Sequence, residues 1–345
     1  MSGWEMNTLQ EELERLIAEQ LSENELDGPD VGNATEQVIH DVLPAAADQV
    51  LASMKDLAPE TLKYNRELEE GFRQRNYERW ARGLDLIEIL VAVADETGQA
   101  INRAERPQAI EENDARFEAV VMLHGRAILV SREILCLMKG GFPDGALGRW
   151  RTLHEIAVVA HFLASQDRDI SERYLLHRDV QAHKAMKQYR EHQDRANLTP
   201  ISEEDVEQAR NRADAIIANR GKEMKHDWGW AAPVIGRQKP TLLDLEENQG
   251  LDHWRPRYKW ASQDTHGGYR PPSRMLGTSE ANDPVILGGP SNSGLTDPAH
   301  MTAISLVLAT TALICLKPNL DRLLTQQVCQ KLVDEIGEAF LNVDS

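Results

Sequence analysis

Cysteine is scarce in this 345-residue chain: Cys136, Cys315 and Cys329 are the only three, and no two have the close spacing of a zinc-binding pair. That excludes a disulfide framework and a thiolate zinc site, and it fits a reducing compartment. Aromatic residues make up 5 % and no run of alternating strands is visible, which excludes an all-β protein. An excess of basic residues is also missing. With 38 Lys+Arg against 56 Asp+Glu the formal charge is −18, which argues against a broad sequence-independent nucleic-acid surface and against anionic membranes. A single local basic groove stays open.

The opening residues carry Trp4, Glu5 and acidic helix formers in place of a basic start and an apolar run, so no secretory leader is expected. The one long apolar stretch, residues 301–316, is shorter than the ~20 residues a membrane span needs and is interrupted by Thr302, Ser305, Thr310 and Thr311. It reads as a buried core helix. The expectation is a cytoplasmic protein with no membrane partner, no cofactor and no metal.

What the chain has is helix formers in helical periods. Residues 9–21 give a stripe of Leu9, Leu13, Leu16, Ile17 and Leu21. Helices are expected over 35–57, ended by Ala58-Pro59-Glu60, then over 60–104 as one or two, and over 112–139. Gly140-Gly141-Phe142-Pro143-Asp144 is a turn that makes a hairpin with the next helix. Further helices are expected over 170–196, over 205–220 after a Ser202 cap, and from Pro256 to 266. Residues 221–249 read as an irregular Trp/Gly/Pro insert and residues 267–298 as a long loop, before two final helices over 299–316 and 319–340. The fold expected is all-α: a helical extension over residues 1–110 on a helical bundle over 111–345.

The bundle is organised around residues 145–183. On a 3.6-residue period Arg151, His154, Glu155, Val158, His161 and Phe162 share one face of a helix whose other positions are almost all apolar. Buried charge is costly unless paired and hydrogen-bonded, and Arg151 and Glu155 stand four apart, where they can pair. Later, Tyr258, Ser262 and His266 fall at i, i+4 and i+8. A two-helix polar seam is expected from these residues. A carboxylate beside a histidine orients it and raises its basicity, and a serine within reach is a nucleophile or a plain hydrogen-bond partner. The alternative is a polar network that only fixes how two helices pack.

The order Lys139-Gly-Gly-Phe-Pro-Asp, then Arg149-Trp-Arg151-Thr-Leu-His-Glu155, a Tyr174/His177/Arg178 helix, the insert around Trp228 and finally Tyr258-x3-Ser262-x3-His266 resembles a widespread bacterial family of helical proteins classified only as a domain of unknown function. Its marks are an Arg-x3-Glu helix after a small-residue turn and a later Ser-x3-His helix. The resemblance covers residues 114–316 and implies an intracellular helical bundle with no established activity. Arg149-x4-His154 and Arg178-x4-His183 also resemble, more weakly, the arginine-x4-histidine spacing of the HEPN class of homodimeric helical ribonucleases, in which the arginine holds phosphate charge and the histidine moves protons.

These readings single out Arg151, Glu155, His266, Ser262 and His154 as candidate catalytic residues. Tyr258, Arg149, Tyr174, His177 and Arg178 are the candidate ligand-binding residues. The function expected is an effector-like protein, in a toxin or defence role, that binds RNA or a nucleotide-like ligand at the seam, with metal-independent phosphodiester cleavage as the reaction class. It is expected to form a homo-oligomer and to meet a protein partner through its leading helix. The competing expectation is a non-catalytic interaction protein in which the seam is structural.

Overall fold

The computed structural model describes residues 15, 29–263, 265 and 288–344, without the side chains of 29–39, 41, 42, 45, 46 and 344. Among the described residues there are ten α-helices, three 3₁₀ turns and no strand. The chain divides into two compact units, Met1–Phe72 and Arg73–Ser345. The first helix, α1 (Pro29–Glu111), crosses that division.

Within the first unit the described chain is helical from Pro29, and residues 51–70 are exposed almost all round. The expected break at Pro59 does not occur. A proline inside a helix removes one amide donor and leaves the carbonyl four residues earlier without its partner. That carbonyl belongs to Lys55, which is exposed, so water takes the place of the missing donor. The stripe over residues 9–21 lies outside the described residues apart from Arg15, and so does most of the long loop.

In the second unit, local signals set the helix ends. The Asp114 carboxylate accepts from the amides of Arg116 and Phe117 and starts α2 (Ala115–Lys139). Gly141, at φ 78°, takes the left-handed turn, and Pro143 sits in the first turn of α3 (Pro143–Ser165). Asp167 caps α4 (Arg168–His192), and Ser202 accepts from the Asp205 amide to start α5 (Glu203–Arg220). The expected irregular insert folds into short pieces: turns Lys222–Lys225 and Gly229–Ala231, α6 (Ala232–Ile235) and α7 (Leu242–Gln249). Thr241 and Asp244 close a capping box at the start of α7. A last turn, Asp252–Trp254, leads into α8 (Arg255–Ser262), and α9 (Thr296–Ile314) and α10 (Leu320–Asp344) complete the unit.

The core is centred on α3, which packs on α2 and α9, while α9 packs also on α2 and α10. α9 is long and apolar enough to cross a membrane by length and composition, and 72 % of it is buried inside the protein. Its polar atoms are used internally: Ser305 Oγ accepts from Trp150 Nε1 at 2.9 Å, and Thr310 Oγ1 donates to the Leu306 carbonyl at 2.8 Å. Trp80 stacks on Phe340 with ring centroids 5.2 Å apart and donates to the Asn292 carbonyl at 3.0 Å. This packing presents one edge of α3, residues 150–161, to α7 and α8.

Candidate functional site

Along that edge the helical period sorts α3 into two layers. Trp150 and His154 point inward and are 1 % exposed, whereas Arg151 and Glu155, one step round the helix, are half-buried. α7 and α8 meet this edge with Glu246, Arg255 and Tyr258, so the seam has an inner and an outer part.

The inner part is a buried polar cluster. His154 Nε2 donates to Glu246 Oε1 at 2.9 Å, and Arg255 Nη1 donates to Glu246 Oε2 at 2.9 Å. Glu246 is wholly buried, so its carboxylate is compensated from both sides, as an interior charge must be. The His154 ring lies 5.4 Å from Trp150 and 5.6 Å from Tyr258. Each ionic group has its partner on another element, and the cluster therefore fixes α3, α7 and α8 relative to one another.

The outer part centres on the Tyr258 hydroxyl. It donates to Glu155 Oε1 and accepts from Arg151 Nη2 at 3.0 Å. Arg151 Nη1 donates to Thr265 Oγ1 at 2.7 Å. The expected direct pairing of Arg151 with Glu155 is corrected here: the tyrosine oxygen stands between them. The Arg151 guanidinium carbon is 4.5 Å and that of Arg255 5.0 Å from the centre of the Tyr258 ring, both within cation–π range. Burial raises the Tyr258 phenol above its ordinary value, and the bond to Glu155 adds to that. Among the described residues, Arg151 has no carboxylate within ion-pair distance, and its buried Nε has no partner.

Of the candidates read from sequence, the structure brings together Arg151, Glu155, Tyr258 and His154. Ser262 is half-buried nearby, but its hydroxyl donates to the Tyr258 carbonyl of its own helix at 2.9 Å. His266 lies outside the described residues. Arg149 points the other way, to Glu133 of α2 and to Thr152. Tyr174 and His177 belong to a separate cluster on α4. Tyr174 meets the edge of Trp230 at 5.0 Å, with burial raising its phenol, and His177 Nε2 bonds to the His226 carbonyl at 2.9 Å, with burial lowering its imidazole. Arg178 is exposed.

Glu246, Arg255, Thr265 and Gln249, which accepts from His161 Nδ1 at 2.8 Å, are seam residues that sequence reading missed. Two had signals. Glu246 stands on the face of Leu242 and Leu245, and Arg255 is a cation at a helix start, where the dipole disfavours it. No group of three or more metal-binding side chains occurs among the described residues.

The protein is thus an all-helical one with a two-layer polar seam between its central helix and an inserted helical segment. Residues 117–283 match a family described as a family of unknown function, DUF5677, and this span holds the three seam helices α3, α7 and α8. This agrees with the resemblance to a family of unknown function read from the sequence. No curated protein and no solved structure matches the chain. The resemblance to HEPN ribonucleases is not supported by the match, and Arg149 and His154 go to different partners, Glu133 and Glu246.

Proposed function

We propose that this is a binding protein that takes a small, anionic, nucleotide-like ligand at the outer part of the seam. The observation that carries it is Arg151: among the described residues its half-buried guanidinium is hydrogen-bonded to two neutral hydroxyls and has no carboxylate within ion-pair distance. A cation in that setting gains most from a phosphate or carboxylate, through short charge-assisted hydrogen bonds. The overall charge of −18 favours a small ligand over RNA, since a long polyanion pays repulsion along its whole length. The inner His154–Glu246–Arg255 cluster serves as the rigid support for Arg151 and Tyr258. Three unpaired cysteines, two of them exposed, support a reducing compartment as its place of work.

The test is calorimetric titration of the full chain with inorganic phosphate and with nucleoside mono- and triphosphates, on wild type and Arg151→Gln. Binding by wild type that weakens at least tenfold in the variant, with unchanged helical content, supports the reading. No heat with any of these probes, or equal affinity in the variant, overturns it.

A further inference from the structure

We infer that residues 43–68 of α1 are a coiled-coil seam for a second copy of this chain. Leu43, Ala47, Val50, Met54, Leu57, Thr61, Tyr64 and Leu68 follow one another at alternating steps of four and three, the a/d spacing of a heptad seam. Every one of them except the partly covered Val50 is exposed, Leu43 at 54 %, Met54 at 46 %, Leu57 at 59 %, Tyr64 at 48 % and Leu68 at 54 %. Thr61, the one polar member, donates its hydroxyl back to the Leu57 carbonyl of its own helix at 3.2 Å, which satisfies it without a partner. Pro59 falls at an f position, opposite the seam, where a missing amide disturbs the contact least.

A helix exposed on all sides draws no stability from packing, and an isolated helix in water is marginal. The stripe therefore calls for a cover. A second copy fits it because an identical stripe has the same period and length, and a two-fold axis makes the contact self-complementary. The area is sufficient: five large seam side chains per copy, about half exposed, bury on the order of 80 Å² each, and the smaller Ala47, Val50 and Thr61 add to them, so two copies reach roughly 1,000 Å², the lower bound for a specific interface. Charge does not oppose it. The stretch carries Asp48, Asp56, Glu60 and Glu67 against Lys55, Lys63 and Arg66, a net of −1 in a chain of −18.

Sedimentation equilibrium of the full chain at about 10 µM tests it, on wild type, the double variant Met54→Glu/Leu57→Glu, and the control Leu324→Glu, which changes an exposed apolar residue of α10. The expected result is a dimer for wild type and control, and a monomer for the double variant. A monomeric wild type overturns the inference. So does a double variant that stays dimeric.

Discussion

The imidazole of His154 and the carboxylate of Glu246, 92 residues apart in the chain, meet at 2.9 Å in a place almost closed to solvent. Their contact joins the central helix to the inserted one, and Arg255 completes it from a third helix. Removing the carboxylate leaves Arg255 and His154 without their common acceptor in the interior. Glu246→Ala is expected to cost about 3 kcal/mol, because breaking one side of a buried ion pair strands the other. Urea unfolding of wild type and variant measures it, and a loss below about 1 kcal/mol would show that the cluster is not what fixes the three helices.

The outer part should be weaker. Tyr258→Phe keeps the ring and its cation–π contacts but removes the hydroxyl between Arg151 and Glu155. Both partners are half-buried, so water replaces part of what is lost, and the expected cost is about 1 kcal/mol. If the outer part binds a ligand, the same variant lowers affinity more than stability. Calorimetry beside urea unfolding separates the two.

His124 gives a pH dependence. It is buried on α2, bonded through Nε2 to Thr310 Oγ1 at 3.2 Å, and burial lowers its imidazole from 6.5 to about 4, against the opposing pull of Asp95. A depressed value means that the unfolded chain binds the proton first. The stability contributed by the neutral ring is full above pH 6.5 and is lost as pH falls toward 4. Between pH 6.5 and 5 the loss is on the order of 1–2 kcal/mol, one pH unit being worth ~1.4 kcal/mol. His177 and His300 are shifted the same way, so the informative quantity is the difference between wild type and His124→Gln, whose profile should be flatter by that amount. Parallel profiles would contradict it.

Two helical glycines should respond in opposite directions. A Cβ at Gly83 would stand 2.3 Å from the ring of Phe340, which is itself fully buried, so Gly83→Ala overpacks the core and is expected to cost 1–3 kcal/mol. A Cβ at Gly125, on the exposed side of α2, meets nothing within 4 Å. Gly125→Ala should stabilise by about 1 kcal/mol from helix propensity alone. Thermal unfolding of both variants checks the pair.

Most of the fold was legible because helix periods and caps are local. Ser202 marks a start that the structure keeps, the turn at residues 140–142 stands where it was expected, and the charge-free pattern of 301–316 belongs to a helix mostly buried in the bundle. The seam was half legible. Arg151, Glu155 and Tyr258 stood out as polar residues at helical spacing, but their geometry depends on where a short inserted helix docks, and no local signal fixes that. Glu246 lies in that insert and Arg255 just after it, on helices of eight residues each, too short for a period to declare a buried face. Pro59 misled for the opposite reason: a strong local breaker is tolerated where the orphaned carbonyl faces water.

The first part of the insert is tied to one side chain of α4. The buried guanidinium of Arg173 donates to the carbonyls of Arg220, Gly229 and Trp230 and to the carboxylate of Glu223. Gly229 is pressed so close to the Glu223 carbonyl that a Cβ would fall 1.7 Å from it. A stretch tied at four points to a single rigid fork tolerates exchange of its outward side chains but not a change in their number. Adding or deleting one residue between Arg220 and Trp230 would move carbonyls off the fork, so this stretch, loop-like in sequence, has a length as strictly set as that of a packed helix.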